Sequence, residues 1–321
     1  MKTIEKWLKK TLKNNTQGLI LAAHGVSKTS LNPFLENVHI TEKCFLNVVN
    51  LLERVNVEFA TYDNMKAYIL GNKQPQKAWV HFTFDDGYKN NLENVLPILD
   101  KKNIPFTVFV STYHVETQNR IPSYYTRFFY NKGYDLKLIF NKSFSSYMEY
   151  ENYFLFSEKL EKLEEYCEKI IAKLAPQEFD EFYSIKNNQF LSINELKSLS
   201  ESSLVTIASH SHHHIVYHEQ QNLMCLKKEL LTSFEKFKNW NVPFESCFCY
   251  PNGGYSPRII DLLKKSNVEL AFSCESDFVT RSINPLEIPR FWISSYVRCL
   301  LTLILMCLPT WFFKTIKYLK K

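Results

Sequence analysis

Apolar and amphipathic segments alternate along most of the chain, and this alternation predicts its secondary structure. The run GLILAAHG at 18–25 predicts a buried strand. After it, a candidate N-cap at Thr41 precedes a segment reaching residue 55 whose apolar side chains recur at helical spacing. Further strands are predicted at 78–86, 105–112, 204–211, 246–254, 269–276 and 286–294. Further helices are predicted at 91–102, 219–240 and 256–267.

Strands that alternate with helices pair in parallel, because each helix carries the chain back to the start of the next strand. About seven such strands favour a distorted (β/α) barrel, an α/β fold, over an open sheet. Residues 113–200 interrupt the rhythm with segments rich in aromatic and charged residues. We predict that they form a mainly helical insertion that covers a pocket of a barrel spanning 18–296.

The first residues of the chain have the pattern of a surface helix. They lack the apolar core of a secretory signal, and residues 1–17 instead predict a short basic amphipathic helix. Its apolar face is formed by Ile4, Trp7, Leu8 and Leu12.

The last residues, 297–321, form a separate apolar and basic tail. Its segment 299–313 has 15 residues without a charge, fewer than the ~20 needed to span a bilayer as a helix. Residues 1–13 and 314–321 each carry a net charge of +4, whereas the whole chain carries only +6, so the body is slightly acidic. This distribution favours an anionic membrane surface as a partner and argues against nucleic acid. The alternative is that the tail is a last helix of the core.

Composition limits the class of protein further. With 45% hydrophobic and 15% aromatic residues, the chain of 321 residues can bury a large core and is not a disordered protein. The eight cysteines include no CxxC pair, and Cys247 and Cys249 are expected on one face of a strand. A reducing, cytoplasmic location fits this usage best, with peripheral attachment to the cytoplasmic membrane through the ends. No dinucleotide or P-loop motif occurs.

Two adjacent acids, Asp85 and Asp86, follow a predicted strand directly and precede Gly87. Neighbouring residues at a strand end point in different directions, so two carboxylates can perform two tasks around one centre. The alternative is an Asp-Gly turn in which the carboxylates only accept hydrogen bonds from backbone amides. This stretch alone does not favour either interpretation.

Histidines cluster at the end of another predicted strand. Five of the nine histidines lie within ASHSHHHIVYH, residues 208–218. Such a loop often does no more than cover a surface, but this one is predicted at the same sheet edge as the two aspartates. Two imidazoles and one carboxylate form a three-ligand metal site that leaves positions open for water and substrate.

These two motifs, in this order, resemble those of the polysaccharide deacetylases, which act on chitin, peptidoglycan and related N-acetylated sugars. TFDDG resembles the first motif of that family and SHSHHH its second. The resemblance implies that Asp85 is the catalytic base and that Asp86, His210 and His214 bind a divalent metal ion, most plausibly Zn²⁺. It also implies that Ser211 supports the metal ligands.

The third motif departs from the family pattern. In CYPNG, Cys249 stands where many members have an arginine that orients the base. We expect Arg290, on a later strand, to supply the missing guanidinium group. By the same resemblance, the backbone N–H of Asn252 is expected to bind the developing oxyanion, and Tyr255 is a second candidate for substrate binding.

The usual C-terminal histidine of the family is missing, since no histidine follows His218. His24, at the end of the first strand, resembles the general acid of a subgroup that supplies this group from its N-terminal end. The first and last strands of a closed barrel are neighbours, so this exchange is geometrically reasonable. A lone histidine at a strand end is, however, more often structural.

The resemblance implies a metal-dependent hydrolase that removes an N-acetyl group from an amino sugar of a cell-surface glycan or of its lipid-linked precursor. One alternative is a deformylase or other amidase acting on a lipid-linked sugar. Another is a carbohydrate-binding module without catalysis. The intact aspartate pair and the three histidines favour an enzyme over the binding module.

Overall fold

The computed structural model describes residues 5, 6, 8, 9, 17–140, 142–157 and 160–293. Most of the predicted N-terminal helix and the whole tail, 297–321, lie outside these residues. Leu8, on the predicted apolar face of the first helix, is fully buried in the main core. Among the described helices, none combines the length and the apolar character needed to cross a membrane.

Ten β-strands are described, and all of their pairings are parallel. They are β1 Gly18–Ala23, β2 Val26–Ser27, β3 Ile40–Thr41, β4 Glu58–Phe59, β5 Trp79–Phe84, β6 Phe106–Val110, β7 Val205–Ser209, β8 Cys247–Cys249, β9 Leu270–Phe272 and β10 Phe291–Trp292. The main sheet has the order β10-β1-β5-β6-β7-β8-β9, with β4 paired to the start of β5. The predicted distorted barrel of seven parallel strands is therefore confirmed.

The α-helices connect the strands or belong to the insertion. They are α1 Glu42–Arg54, α2 Tyr62–Ile69, α3 Leu96–Asp100, α4 Thr112–Thr117, α5 Pro122–Asn131, α6 Lys137–Phe140, α7 Tyr147–Ser157, α8 Leu160–Ile171, α9 Pro176–Ser184, α10 Ile193–Ser200, α11 Leu223–Asn239 and α12 Pro257–Lys265. A π-helical turn, Asn91–Val95, leads into α3. Pro97 explains this widening, because it has no N–H to continue the α-helical ladder to the carbonyl four residues earlier.

The chain segment before β10 links the two edges of the sheet. Ile288 forms a parallel bridge to Phe272 of β9, and three residues later β10 pairs with β1 in register Leu21–Phe291. This segment also carries Pro289, which cannot donate a backbone hydrogen bond. For that reason the strand predicted at 286–294 is reduced to two residues. The strand predicted at 246–254 is shortened in the same way by Pro251 and the short 3₁₀-helix that begins there.

The strands are buried on both faces, as expected for a parallel sheet covered by helices. Every residue of β1, β5 and β6 is buried. α1 packs its apolar stripe against them, with Phe45 in edge contact with Phe82 and Phe84. Thr41 is the N-cap residue of α1, as predicted, although its side chain accepts no capping hydrogen bond.

The insertion predicted at 113–200 is mainly helical and has its own aromatic core, in which Phe128, Tyr150 and Phe182 are buried. Its last helix, α10, is different. Leu196 and Leu199 of α10 pack into the main core of the barrel. α10 therefore packs as a connecting helix before β7, and the bounds 113–200 of the insertion stay a prediction.

Candidate active site

The register of the parallel strands places the predicted site residues at one edge. Ala23 pairs with Phe84, and Val110 pairs with Ser209, so the next residue of each strand lies at the carboxyl edge of the sheet. These next residues include His24, Asp85 and His210. In parallel α/β folds, this edge is where catalytic groups are assembled.

Four residues at this edge have positive φ angles, although none is glycine. They are Asp86 at 77°, Ser211 at 69°, His214 at 56° and Asn252 at 51°. Non-glycine residues in this region cost free energy and persist only where the surrounding structure holds them. All four residues lie in the loops that carry the aspartate, histidine and CYPNG motifs. This indicates that the backbone of these loops is held in place for a functional site.

Asp86, His210 and His214 lie together as a candidate metal centre. Oδ1 of Asp86 is 3.3 Å from Nε2 of His210 and 3.2 Å from Nε2 of His214. All three side chains are buried, and their potential ligand atoms lie within 4.8 Å of one another. Within the described part of the chain, Oδ1 of Asp86 has no hydrogen-bond partner. A buried carboxylate oxygen facing two imidazole nitrogens fits a divalent cation.

His210 is held in the orientation that a metal ligand needs. Its Nδ1 lies 2.9 Å from the carbonyl oxygen of Cys249. A carbonyl only accepts hydrogen bonds, so Nδ1 carries the proton and the lone pair of Nε2 is directed towards Asp86. The backbone of the CYPNG motif thus fixes the tautomer of a residue in the histidine motif.

Asp86 is ionised in this environment. Burial opposes its ionisation, but the neighbouring imidazoles of His214, His24 and His210 outweigh that effect and hold the pKa of Asp86 well below its ordinary value. A deprotonated carboxylate is the form that binds a metal ion.

Asp85 forms a buried, two-pronged ion pair with Arg290. Nη1 of Arg290 lies 2.7 Å from Oδ1 of Asp85, and Nη2 lies 2.8 Å from Oδ2. Burial opposes ionisation of Asp85, but Arg290 outweighs it, so the pKa of Asp85 is lowered. The structure therefore brings a guanidinium group from the residue just before β10 to Asp85, and the expected contact between Arg290 and Asp85 is present.

Cys249 occupies the space beside this ion pair. Its Sγ is 3.0 Å from Nη2 of Arg290 and 3.6 Å from Oδ2 of Asp85. Burial raises the pKa of the Cys249 thiol well above its ordinary value, so the thiol stays neutral. The side chain that replaces the family arginine is thus a small, uncharged neighbour of the guanidinium group.

His24 faces the metal centre from the other side. Its Nε2 is 3.8 Å from Oδ2 of Asp86, and its ring stacks on Trp292 with centroids 5.1 Å apart. The side-chain amide of Asn91, in the π-helical turn, donates to the carbonyl of His24 at 2.9 Å. Burial lowers the pKa of His24, although Asp86 and Asp85 act in the opposite direction. Its imidazole is therefore mainly neutral at neutral pH.

Ser211 and Glu229 stabilise the loop that carries the histidines. Oγ of Ser211 donates to the buried carboxylate of Glu229 at 3.1 Å. The same carboxylate accepts from the backbone N–H of His213 at 2.8 Å and lies 2.7 Å from Nδ1 of that histidine. Ser211 thus acts through the loop and not by touching the metal centre. Glu229 was not predicted, because in the sequence it is one of many charged residues on α11.

The two candidate substrate-binding residues lie in different places. Asn252 lines the cavity above the metal centre. Tyr255 does not line this cavity; its hydroxyl donates to Glu275 at 3.0 Å and its ring stacks on Tyr250. The assignment of both residues to substrate binding stays a prediction.

A cavity of about 340 Å³ opens above these groups. Its floor contains Asp85, Asp86, His210 and His214, and the insertion provides much of its wall. The wall residues from the insertion are Ile121, Ser123, Tyr124, Arg127, Glu151, Asn152 and Leu155. The prediction that the insertion covers a pocket is confirmed. These individual wall residues were not predicted, since only their aromatic and charged composition was visible in the sequence.

A barrel whose strand ends bring together two aspartates, two histidines and an open cavity has the fold and site of a metal-dependent hydrolase. Residues 72–271, more than half of the chain, match the family model of polysaccharide deacetylases. The chain belongs to this family and is a deacetylase, which confirms the family and the class of enzyme expected from the sequence.

Relatives and solved structures agree with this membership. The poly-β-1,6-N-acetyl-D-glucosamine N-deacetylase of Staphylococcus aureus strain MRSA252 is 25% identical over 297 residues, covering 89% of this chain and 82% of its own. IcaB from Ammonifex degensii has a TM-score of 0.61 at 16% identity, covering 91% of this chain and 97% of its own. The Streptococcus pyogenes deacetylase PplD, solved with acetate, has a TM-score of 0.59 at 15% identity, with 91% and 99% covered. The two structures support the fold.

The candidate metal centre leads to a test of metal retention. Replacing His210 or His214 by Ala removes one of three converging ligands, so each variant should lose its bound divalent metal. Asp85→Asn should retain the metal, because Asp85 is engaged by Arg290 and lies outside the three-ligand set. Elemental analysis of the purified proteins measures the metal content. Loss of metal from Asp85→Asn as complete as from His210→Ala, in protein whose thermal melting shows that the fold is kept, would show that this division between the two aspartates is wrong.

Proposed function

We propose that this deacetylase hydrolyses the N-acetyl group of an amino sugar in a cell-surface glycan or in its lipid-linked precursor. The observation that carries this proposal is the arrangement of Asp85 beside the cluster of Asp86, His210 and His214 on the floor of one cavity. The named activity of the Staphylococcus aureus relative supports an N-acetylated sugar as the substrate. That name also favours acetyl over formyl as the group removed.

Asp86, His210 and His214 would hold the metal ion, which we propose to be Zn²⁺ because imidazole and carboxylate are its usual ligands in catalytic sites. When bound, such an ion supplies Lewis acidity that polarises a carbonyl group and makes water a better nucleophile near neutral pH. The hydrogen bond to the carbonyl of Cys249 fixes the tautomer of His210, so the lone pair of its Nε2 is available before the ion binds.

Asp85 is the proposed general base. Arg290 keeps it ionised and fixes the plane of its carboxylate, so its remaining lone pairs point in defined directions. It accepts a proton from the water molecule that attacks the acyl carbon. The pairing with Arg290 makes Asp85 a weaker base than a free carboxylate, so its contribution depends on position more than on basicity.

His24 is the proposed general acid for the departing amine. Burial lowers the pKa of His24, so its protonated form donates readily. Solvent in the cavity supplies the proton that His24 passes to the departing amine, and the proton that Asp85 takes from water returns to solvent. Stacking on Trp292 and the hydrogen bond from Asn91 to its carbonyl fix its position beside the cavity. The backbone N–H of Asn252 is proposed to stabilise the developing oxyanion.

The proposed reaction is tested by product analysis. Wild-type protein reconstituted with Zn²⁺ should release acetate and leave a free amine when incubated with β-1,6-linked N-acetylglucosamine oligomers. Asp85→Asn, which should retain metal, serves as the matched control and should lose about 10²- to 10⁴-fold in turnover. Release of formate from N-formylated sugars, with no acetate from the acetylated ones, would overturn the proposal in favour of a deformylase.

The role of His24 is tested by varying the leaving group. A general acid matters for an amine, which leaves poorly without a proton, and much less for a phenolate. His24→Gln should therefore lose about 10²- to 10⁴-fold on N-acetyl sugars while cleaving activated acetyl esters nearly as well as the wild type. Metal analysis and thermal melting control for damage to the site or the fold. Equal losses on both substrates, with metal and fold intact, would show that His24 is not the acid.

We also propose that the protein is cytoplasmic and binds the membrane surface peripherally through its basic ends. The net charge of +4 on each terminal segment supports this proposal. Wild-type protein should float with anionic vesicles at low salt and less at high salt, whereas a truncation after Ser295 should stay in the soluble fraction. An aggregated truncation product, or one that still floats, would contradict the proposal and favour a tail that packs as a core helix.

A further inference from the structure

A second cavity adjoins the catalytic one. It has a volume of about 370 Å³ and, among the described residues, shares no lining residue with the catalytic cavity. Its lining comes from α4, the segment 119–125, α8 and the histidine loop. Within that segment, Ile121 and Tyr124 line the catalytic cavity, whereas Arg120 and Tyr125 line the second one. The segment therefore separates two distinct cavities.

Arg120 brings a buried cation without an acidic partner to the second cavity. It is 4% exposed. Of the three arginines that are buried in the described part of the chain, it alone has no carboxylate within ion-pair distance, since Arg127 pairs with Glu151 and Arg290 pairs with Asp85. Taking a charge out of water costs free energy, so buried charges are normally paired. Arg120 thus lacks the kind of partner that the fold gives to the other two.

The contacts of Arg120 leave part of its guanidinium group unused. Its Nη2 donates to the carbonyl of Tyr183 at 2.9 Å, and its guanidinium carbon lies 5.4 Å from the centre of the Tyr183 ring. Its Nε is buried and has no hydrogen-bond partner among the described residues. Burial lowers the pKa of Arg120, and the neighbouring tyrosines offset this effect only in part. An arginine nevertheless stays protonated in a protein, so this side chain provides both a positive charge and an unused donor.

His114 provides an unused acceptor in the same cavity. Its Nδ1 lies 2.8 Å from the carbonyl oxygen of Asn119, the residue before Arg120. A carbonyl only accepts hydrogen bonds, so Nδ1 carries the proton and Nε2 has a free lone pair. The side chain is 1% exposed, its ring stacks on Phe190, and Nε2 has no partner in the part of the chain that is described. Because buried polar atoms are normally satisfied, the two unused groups indicate a ligand that has both an acceptor and a donor.

Two exposed acids limit the charge that such a ligand can carry. Glu164 and Glu168 lie four residues apart on α8, and both line the second cavity. Water and salt screen their charges, whereas the charge of buried Arg120 is screened much less. One negative charge on a ligand is therefore attracted by Arg120, but a second one adds repulsion from the glutamates. The lining favours a monoanion.

A hydroxycarboxylate has the chemistry that matches this lining. Its carboxylate carries a single charge, and its two coplanar oxygens fit two adjacent N–H groups of a guanidinium group. A hydroxyl group on the neighbouring carbon supplies the donor for Nε2 of His114. The volume of the cavity lies near the lower end of the range for small-molecule sites, so the ligand is small.

We propose that the second cavity is a binding site for a small hydroxycarboxylate monoanion, with Arg120 holding the carboxylate and His114 accepting from the hydroxyl group. This site is separate from the metal centre, and its ligand is not the substrate of deacetylation. The inference goes beyond the proposed function and does not depend on it.

Glycolate, the smallest α-hydroxycarboxylate, is the probe for this site. Isothermal titration calorimetry of the full chain reconstituted with Zn²⁺ should show glycolate binding. Arg120→Gln should weaken this binding by about tenfold or more, because charge-assisted hydrogen bonds are lost. Arg281→Gln is the matched control. Arg281 is exposed and lines neither cavity, so its replacement should leave the affinity unchanged.

The role of His114 is tested by comparing two probes. Acetate lacks the hydroxyl group and should bind the wild type about three- to tenfold more weakly than glycolate, the effect of one hydrogen bond. This difference should disappear in His114→Phe, which keeps a ring but has no acceptor. The same preference for glycolate in His114→Phe would overturn the assignment of His114.

Glycolate can also bind a metal ion, so a further variant separates the two sites. His210→Ala should lose the metal and keep glycolate binding in the second cavity. Binding that is lost in His210→Ala and kept in Arg120→Gln would overturn the proposal and assign glycolate to the metal centre. Inorganic phosphate should bind more weakly than glycolate, and tighter binding of phosphate would overturn the preference for a monoanion.

Thermal melting without ligand shows whether each variant keeps the fold. If Arg120→Gln does not fold, Arg120→Lys keeps the charge but not the planar fork, and it should bind glycolate more weakly than the wild type. Unchanged affinity in Arg120→Lys would count against the proposal. No heat of binding from glycolate or acetate would overturn the site and indicate a cavity filled by water. These measurements do not read out deacetylation, so their failure leaves the proposed function intact.

Discussion

The ion pair between Asp85 and Arg290 is the interaction on which the site depends. It joins the carboxyl end of β5 to the segment that closes the sheet, and both side chains are almost completely buried. Removing one partner of such a pair leaves an uncompensated buried charge, which is far more costly than the pair itself is stabilising. Arg290 also donates to Thr83 of β5 and to the carbonyl of Ser273, so the guanidinium group organises the end of β9 as well as that of β5.

This constraint has consequences for the metal centre. Because both oxygens of Asp85 accept hydrogen bonds from Arg290, the adjacent carboxylate of Asp86 is left to face His210 and His214. The positive φ of Asp86 turns its side chain away from the direction in which Asp85 points. Two neighbouring like charges are therefore separated by direction and by different partners, which allows both to be ionised in one buried site.

Much of the fold followed from local sequence patterns. Runs of mainly apolar and β-favouring residues such as 79–84 are typical of buried parallel strands, and acids or histidines placed directly after such runs predicted the functional edge. The ends of the last strands could not be predicted in the same way. Pro289 has no backbone N–H, but whether this missing donor ends the strand depends on which residues lie beside it in the folded sheet. The π-helical turn before Pro97 lies within the helix predicted at 91–102, and this widening of the helix was not predicted.

The site was predictable where its chemistry is carried by unusual residue types, as in the aspartate pair and the histidine loop. Arg290 was predicted because the family motif had lost its arginine and required another cation. Glu229 and Trp292 gave no such signal, since their roles arise from contacts between residues far apart in the chain. The part of the cavity wall that the insertion forms was predicted only as a region of the chain. Its residues line one cavity only after α5 and α7 have packed together.

Cys249 has a consequence for how this sequence can vary. An arginine at position 249 would bring a second guanidinium group to a carboxylate whose two oxygens are already engaged, in a volume that now holds a small neutral thiol. Loss of Arg290 without that arginine would instead leave Asp85 as an unpaired buried charge. Either single replacement therefore disturbs the charge balance around Asp85, so the residues at positions 249 and 290 depend on each other.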